Sequence, residues 1–315
     1  MCAAVLHDVL IVGAGPAGIT SALTLARALQ NVVVFDSGVF RNARATHFHT
    51  LPTWDHKNPA DFRATARAEI LSRYATVTFH QSGLTSISKA ANGNFEAISA
   101  DGKSWRGRSV ILATGVHDVL PNIEGYDDCW VHGIFHCLFC HGYEERGSPS
   151  AGVLAIGEVA DVAPALHLAR SAKQLAGKVT IYTDGSEALA ASLTAGLRPH
   201  ELEHIVTDTR PITKLIKEPT ATSVTIQFAS GPSLTEGFLV HRPKTELNGP
   251  FAQQLGLQLT PQGDIFTTAP FGATSVPGVF AAGDCMAPGK IAANAISTGA
   301  FAGAGVTAQL QAGVL

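Results

Sequence analysis

A short apolar run ending in a glycine-rich turn, present once intact and once degraded, predicts an α/β fold with two Rossmann-like dinucleotide-binding domains. Two stretches carry the prediction. Asp8-Val9-Leu10-Ile11-Val12 runs straight into Gly13-Ala14-Gly15-Pro16-Ala17-Gly18, and a second apolar run, Val32-Val33-Val34-Phe35, ends at Asp36. Further on, Val153-Leu154-Ala155-Ile156-Gly157 and Val179-Thr180-Ile181-Tyr182 flank another helical stretch, but Gly157 is followed by Glu158, Val159 and Ala160. Strands of a parallel sheet are covered on both faces, so they read as continuous apolar runs.

In the first unit Gly13 allows the turn, Gly15 lets the backbone approach a pyrophosphate, and Gly18 lets the helix pack on the strand. The helix is read over Ile19 to Leu29, and its start, by Pro16 and Ala17, offers N–H groups to the phosphates. Asp36 lies 18 residues beyond Gly18, placed to accept from a ribose hydroxyl. Pro59 opens a helix to about Tyr74, with Asn58 as its N-cap. The loop between Asp36 and Asn58 holds Arg41, Arg44, His47, His49, Trp54 and His56. Loops this long inside a domain are usually functional, and a substrate pocket stands beside a solvated polar loop as its reading. Thr76 to Phe79 reads as a strand. Leu84 to Lys89 and Phe95 to Ser99 alternate around Asn92-Gly93, a hairpin turn. A last apolar run, Val110-Ile111-Leu112-Ala113, ends in Thr114-Gly115.

Composition narrows the function classes. The 315 residues, 46% hydrophobic and 15% charged, suffice for about two cores. A net charge of −3 without a basic run argues against a nucleic-acid surface, and no apolar run reaches the length of a membrane span. The strand at Asp8 leaves no room for a signal peptide. Five cysteines with one close pair do not form a secreted disulfide framework. A soluble, cytoplasmic protein is expected.

That close pair is the chemical centre: His136-Cys137-Leu138-Phe139-Cys140-His141. Thiols at this spacing can close into a small disulfide or open into a dithiol, and the flanking imidazoles can carry the protons of that exchange. Leu138 and Phe139 are expected to shield the disulfide. Cys129, His132, Cys137 and Cys140 could instead hold zinc, but Cys129 and Cys285 read better as small buried residues, Cys2 sits at the terminus, and no metal is expected.

Thr274-Ser275-Val276-Pro277-Gly278-Val279-Phe280-Ala281-Ala282-Gly283-Asp284 resembles the second FAD motif of the pyridine nucleotide-disulphide oxidoreductases. The resemblance implies FAD, held by Gly13, Gly15, Pro16, Ala17, Gly18 and Asp36, by Ala113-Thr114-Gly115, and by Gly283 and Asp284, the last toward the ribityl chain. It also implies that the helix from about Ala292 to Gln311 directs its N-terminus, at Ile291 and Ala292 after Lys290, toward the isoalloxazine. The position of the Cys pair, in an inserted second domain, resembles the low-molecular-weight thioredoxin reductases. This implies an FAD domain in two parts, 1–116 and 246–315, an inserted redox domain at 117–245, and a homodimer. By the same resemblance Cys140 faces the flavin and Cys137 meets the substrate. His141 stands where those reductases carry an acid/base Asp, and His136 is a second candidate base.

In the second fingerprint, NADPH users have further glycines after the first and a His-Arg-Arg run at the second strand. Here stand Glu158, Val159 and Ala160, and then Tyr182-Thr183-Asp184-Gly185. A polyanionic cofactor loses both its cradle and its cationic clamp. The whole chain, with Cys137-Leu138-Phe139-Cys140-His141-Gly142-Tyr143-Glu144, is similar to the dithiol oxidases of gliotoxin and holomycin biosynthesis. That similarity implies oxidation of a small-molecule dithiol through the Cys pair and FAD to O2, giving H2O2. Its rivals are a thioredoxin-type reductase fed by NADPH or another donor, and a flavoprotein that binds a dithiol without turnover.

Overall fold

The first strand, β1 (Leu6–Val12), is buried from Val9 on and leads through the glycine turn into α1 (Pro16–Arg27). The computed structural model describes residues 5–313, so Cys2 lies outside the described residues. Helix α1 begins three residues before the sequence pattern suggests. Pro16 occupies its first turn, where a fixed φ and a missing N–H cost nothing. It also stops at Arg27, and Leu29 turns back with φ +58°. Then follow β2 (Val32–Phe35), fully buried, and α2 (Pro59–Arg73). The Asn58 side chain caps α2 by accepting from the Ala60 N–H at 2.7 Å.

After β3 (Val77–His80), the hairpin β4 (Leu84–Lys89) and β5 (Phe95–Ser99) forms where the sequence indicates. The next strand, β6 (Ser104–Leu112), starts six residues earlier than its apolar run. Its first half pairs antiparallel with β5 and alternates, whereas its second half pairs in parallel with β1 and reads as a continuous run. The sheet order is β3-β2-β1-β6-β5-β4, and the returning strand Val279–Ala281 pairs with β6. Residues up to His117 and from Glu246 onward form one compact unit, and Asp118–Thr245 form another.

The second unit repeats the theme. Strands β7 (Ser148–Leu154), β8 (Ala176–Tyr182), β9 (Ile205–Asp208) and β10 (Leu239–Val240) join Ile134–Phe135 in a parallel sheet of order β9-β8-β7-β10-Ile134–Phe135. Helix α3 (Val162–Lys173) connects β7 to β8. The strand read at Val153–Gly157 in fact ends at Leu154, because Gly157 (φ +51°) opens a short 3-10 turn through Val159. A buried pair supports this turn from beneath. The Tyr126 hydroxyl lies 2.6 Å from His241 Nδ1, and His241 Nε2 faces the Ile156 carbonyl at 3.3 Å. Burial holds the His241 pKa down at about 4 and pushes the Tyr126 phenol well above its ordinary range.

In the first unit, α4 (Ala292–Gln311) is the last helix among the described residues, with the bounds the sequence indicates. It packs on α1 so closely that a Cβ on Gly299 would strike the Ala17 carbonyl, and Ser21 Oγ donates to the Gly299 carbonyl at 2.9 Å. Among the described residues no helix is long and apolar enough to cross a membrane.

Candidate active site

The glycine turn of the first unit is built as a phosphate cradle. Gly13 (φ +112°) has no room for a side chain against the Ala113 carbonyl, nor Gly18 against that of Gly13. Those contacts bring α1, β1 and the Ala113-Thr114-Gly115 strand end together. Gly15 differs, for a Cβ there would meet nothing within 4 Å. As N-cap of α1 it also brings no side chain to the helix end. An uncapped N-terminus beside open space fits a pyrophosphate. Asp36, at the end of β2, accepts from the Gly38 N–H at 2.9 Å and faces Arg67 Nη1 at 3.5 Å.

The second FAD motif is equally well built. Gly283 donates its N–H to Thr298 Oγ1 at 2.9 Å. Asp284 pairs with Arg41 Nη1 at 3.0 Å, so the 36–58 loop contributes a cation that sequence reasoning left unassigned. Lys290 Nζ donates to Asp264 Oδ1 (2.7 Å) and to the carbonyls of Asp284 and Ala287 (both 3.0 Å). These bonds hold the turn before α4, whose N-cap, Ile291, again brings no side-chain cap. Asn248 was not singled out either, yet its Nδ2 donates to the Thr114 carbonyl at 2.9 Å and pins the Ala-Thr-Gly end. Only its position after the chain's return could have signalled it. The residues present therefore fit FAD.

The corresponding place in the second unit is closed. Asp161, the N-cap of α3, accepts from the Val162 N–H at 2.6 Å. A carboxylate thus already occupies the end of the helix where a pyrophosphate would bind. Glu158 is exposed in the turn before it. Tyr182, where a cationic clamp would start, is buried, and its hydroxyl donates to Glu236 at 2.5 Å. Asp184 is exposed and accepts from the Ile212 N–H at 2.7 Å. Arg210, the nearby cation, is engaged by Asp208 at 2.6 Å and lies over the Phe228 ring. These residues do not fit NADPH.

Cys137 and Cys140 are joined in a disulfide, with Cα atoms 5.3 Å apart. Cys137 is the N-cap of a one-turn helix, Leu138–His141, and its carbonyl accepts from the N–H groups of Cys140 (3.2 Å) and His141 (3.1 Å). The turn rests on an aromatic floor. The His141 ring stacks on buried Phe135 at 5.9 Å, and the His136 ring lies 5.8 Å from Trp130. The two imidazoles are 6.4 Å apart by ring centroid. Leu138 packs into the core, whereas the Phe139 ring is 75% exposed.

The zinc alternative fails on geometry. Two of its thiols are spent in the disulfide, and Cys129 lies in the core with Tyr126, Trp130 and Leu215, away from solvent. His132 follows in the turn that carries Val131 at φ +68°. Burial pushes the thiols of Cys129 and Cys285 up to about 11, and Cys285 donates to the Leu112 and Ala282 carbonyls at 3.3 Å. Neither is poised as a nucleophile.

The profile described as "Pyridine nucleotide-disulphide oxidoreductase" matches residues 7–208. Thioredoxin reductase aclD of Aspergillus oryzae is 48% identical over 310 residues, 98% of this chain and 98% of that relative. Thioredoxin reductase sirT of Leptosphaeria maculans is 44% identical over 311 residues, 96% of this chain and 94% of its own. The crystal structure of an oxidoreductase from Agrobacterium tumefaciens matches with a TM-score of 0.85 at 30% identity, over 98% of this chain and 99% of that one.

Proposed function

Since the chain belongs to the pyridine nucleotide-disulphide oxidoreductases and is a thioredoxin-reductase-like FAD flavoprotein and disulfide oxidoreductase, we propose that it oxidises a small-molecule dithiol to an intramolecular disulfide. The observation that carries this reading is the closed second cradle. With Asp161 capping α3, Glu158 and Asp184 exposed, and Arg210 paired with Asp208, NADPH has neither a bare helix end nor an unengaged cation among these residues. Electrons then enter from the thiol side.

The exchange balances with the residues present. A substrate thiolate attacks Cys137 Sγ, the Cys137–Cys140 bond breaks, and Cys140 departs as thiolate. The second substrate thiolate attacks the substrate sulfur bound to Cys137, which forms the substrate disulfide and releases Cys137. The substrate thiols lose two protons, and His141 and His136, on either side of the pair, are the proposed bases. When bound, FAD supplies the two-electron acceptor that reoxidises the Cys pair, with O2 as final acceptor and H2O2 as product. Gly13, Gly15, Pro16, Ala17, Gly18, Asp36, Ala113, Thr114, Gly115, Gly283, Asp284, Ile291 and Ala292 are the proposed FAD-binding residues. The assembly proposed is a homodimer, and the pathway one that makes or protects against a disulfide-containing secondary metabolite.

Anaerobic titration of the FAD-loaded protein tests the reading. A small dithiol alone is expected to bleach the flavin absorbance and NADPH is not. Bleaching by NADPH, or full dithiol-dependent O2 uptake by Cys140→Ser, overturns the proposal.

A further inference from the structure

The loop between β2 and α2 carries three histidines, His47, His49 and His56, that lie outside the FAD-binding residues and the Cys pair named above. Phe48 pairs antiparallel with Lys57. Its N–H donates to the Lys57 carbonyl at 2.6 Å, and its own carbonyl accepts from the His56 N–H at 2.8 Å. Phe48 is buried and packs edge-on against Phe62 at 5.5 Å. In an extended segment neighbours point the opposite way, so His47 and His49 share the other face. His56, in the turn just before Lys57, closes on them. Its Nδ1 lies 3.2 Å from His49 Nε2, and the His47 ring centroid is 6.2 Å from each of the other two. His47 Nδ1 contacts Thr46 Oγ1 at 2.9 Å. When Nδ1 carries the proton, that contact orients the ring and leaves the Nε2 lone pair as a ligand.

We propose that His47, His49 and His56 form a site for one borderline divalent transition-metal ion, with Zn2+ as the type ligand and solvent in the remaining position. The spacing suits it. Two nitrogens at about 2.0–2.1 Å from a tetrahedral zinc stand about 3.4 Å apart, close to the 3.2 Å between His49 and His56. A His-x-His pair flanking an isolated β-bridge residue, with a third histidine from the turn before its bridge partner, supplies three imidazoles without a thiol, a set that favours Zn2+, Cu2+ or Ni2+ over Mg2+ or Ca2+. His47 is exposed and its nitrogens stand outside the close His49–His56 set, so its ring must rotate to complete the site. The backbone around the site is held in an unusual shape. Thr50, Thr53 and His56 all have positive φ (59°, 69° and 57°), in a loop where non-glycine residues seldom adopt it. No metal is expected from the cysteine-containing set in the sequence, yet His47-Phe48-His49 is visible there as a second, thiol-free pattern.

The test uses the full chain, loaded with FAD, with its Cys pair oxidised, free of any histidine tag and stripped with chelator. Zinc chloride alone is titrated by calorimetry, and Co2+ is followed by its visible absorbance. One equivalent per chain is expected. His49→Ala and His56→Asn should each weaken binding by about tenfold or more, and His47→Ala should weaken it by less. Asn tolerates the left-handed backbone at position 56, so that variant removes the imidazole without refolding the turn. A Cys137→Ser/Cys140→Ser double variant is expected to keep the site. The proposal is overturned if the wild type takes up no zinc, which leaves the His49–His56 contact a hydrogen bond. It is equally overturned if the histidine variants bind as the wild type does, or if the Cys variant loses the metal.

Discussion

The two glycine turns begin alike and end differently. After β1 the helix start is bare: Gly15 is the N-cap, Pro16 follows, and open space lies where a side chain would stand. After β7 the helix start is filled: Asp161 folds its carboxylate onto the first N–H, with Glu158 exposed just before it. The strands, the parallel pairing and the helix behind each turn are shared. A Rossmann-like unit can therefore keep its architecture while its end ceases to suit a dinucleotide, because strand and helix packing rest on buried apolar residues, whereas phosphate binding rests on a few backbone N–H groups and the absence of acid.

The largest effects separate packing from binding within the open cradle. Gly18→Val has no space against the Gly13 carbonyl and is expected to abolish the folded flavoprotein. A Cβ at position 15 meets no heavy atom within 4 Å, and Gly15→Val keeps a permitted φ of −75°. It should fold with a near-native melting temperature yet lose FAD affinity roughly a hundredfold, from about 3 kcal/mol of lost phosphate hydrogen bonds. Flavin absorbance per chain, read beside thermal unfolding, checks both. A Gly15→Val protein that retains its full flavin content breaks the comparison.

What the sequence made legible was what repeats or runs. Buried strands announced themselves as apolar runs, the hairpin by Asn92-Gly93, and the ends of α4 to the residue. Contacts made across long separations were not legible. Arg41 on Asp284, Asn248 on Thr114 and Tyr126 on His241 join residues 243, 134 and 115 apart, and no local pattern couples such pairs. Elsewhere the signal was present and underread. An Asp directly before a helical stretch is the ordinary N-cap pattern, so the closure of the second cradle by Asp161 could have been inferred.

The buried support beneath the closed cradle gives a pH dependence. His241 titrates at about 4 when folded against 6.5 as its ordinary value. The unfolded chain therefore binds the proton first. Stability from this group is fully present above pH 6.5 and falls as the pH drops toward 4, by an amount on the order of 3 kcal/mol. Melting temperatures across that range should decline in the wild type, and the decline should be shallower in His241→Asn, which lacks the titrating ring. Equal slopes in the two proteins would remove His241 as the cause.

The smallest expected effect is the most direct probe of the cap. Asp161→Ala should cost about 1 kcal/mol of stability, the usual worth of an N-cap, and Asp161→Asn should cost almost nothing, because Asn caps as well as Asp. Urea unfolding checks both. Neither variant is expected to let NADPH bleach the flavin. Freeing the helix end leaves Glu158 and Asp184 exposed, and Arg210 stays paired with Asp208, so no cation is released to meet a phosphate. If Asp161→Ala alone admits NADPH, the cap was the whole barrier and the surrounding acids were incidental. If NADPH is accepted only when Asp161→Ala is combined with Glu158→Gly and Asp184→Arg, charge and cap act together, as the contrast between the two turns implies.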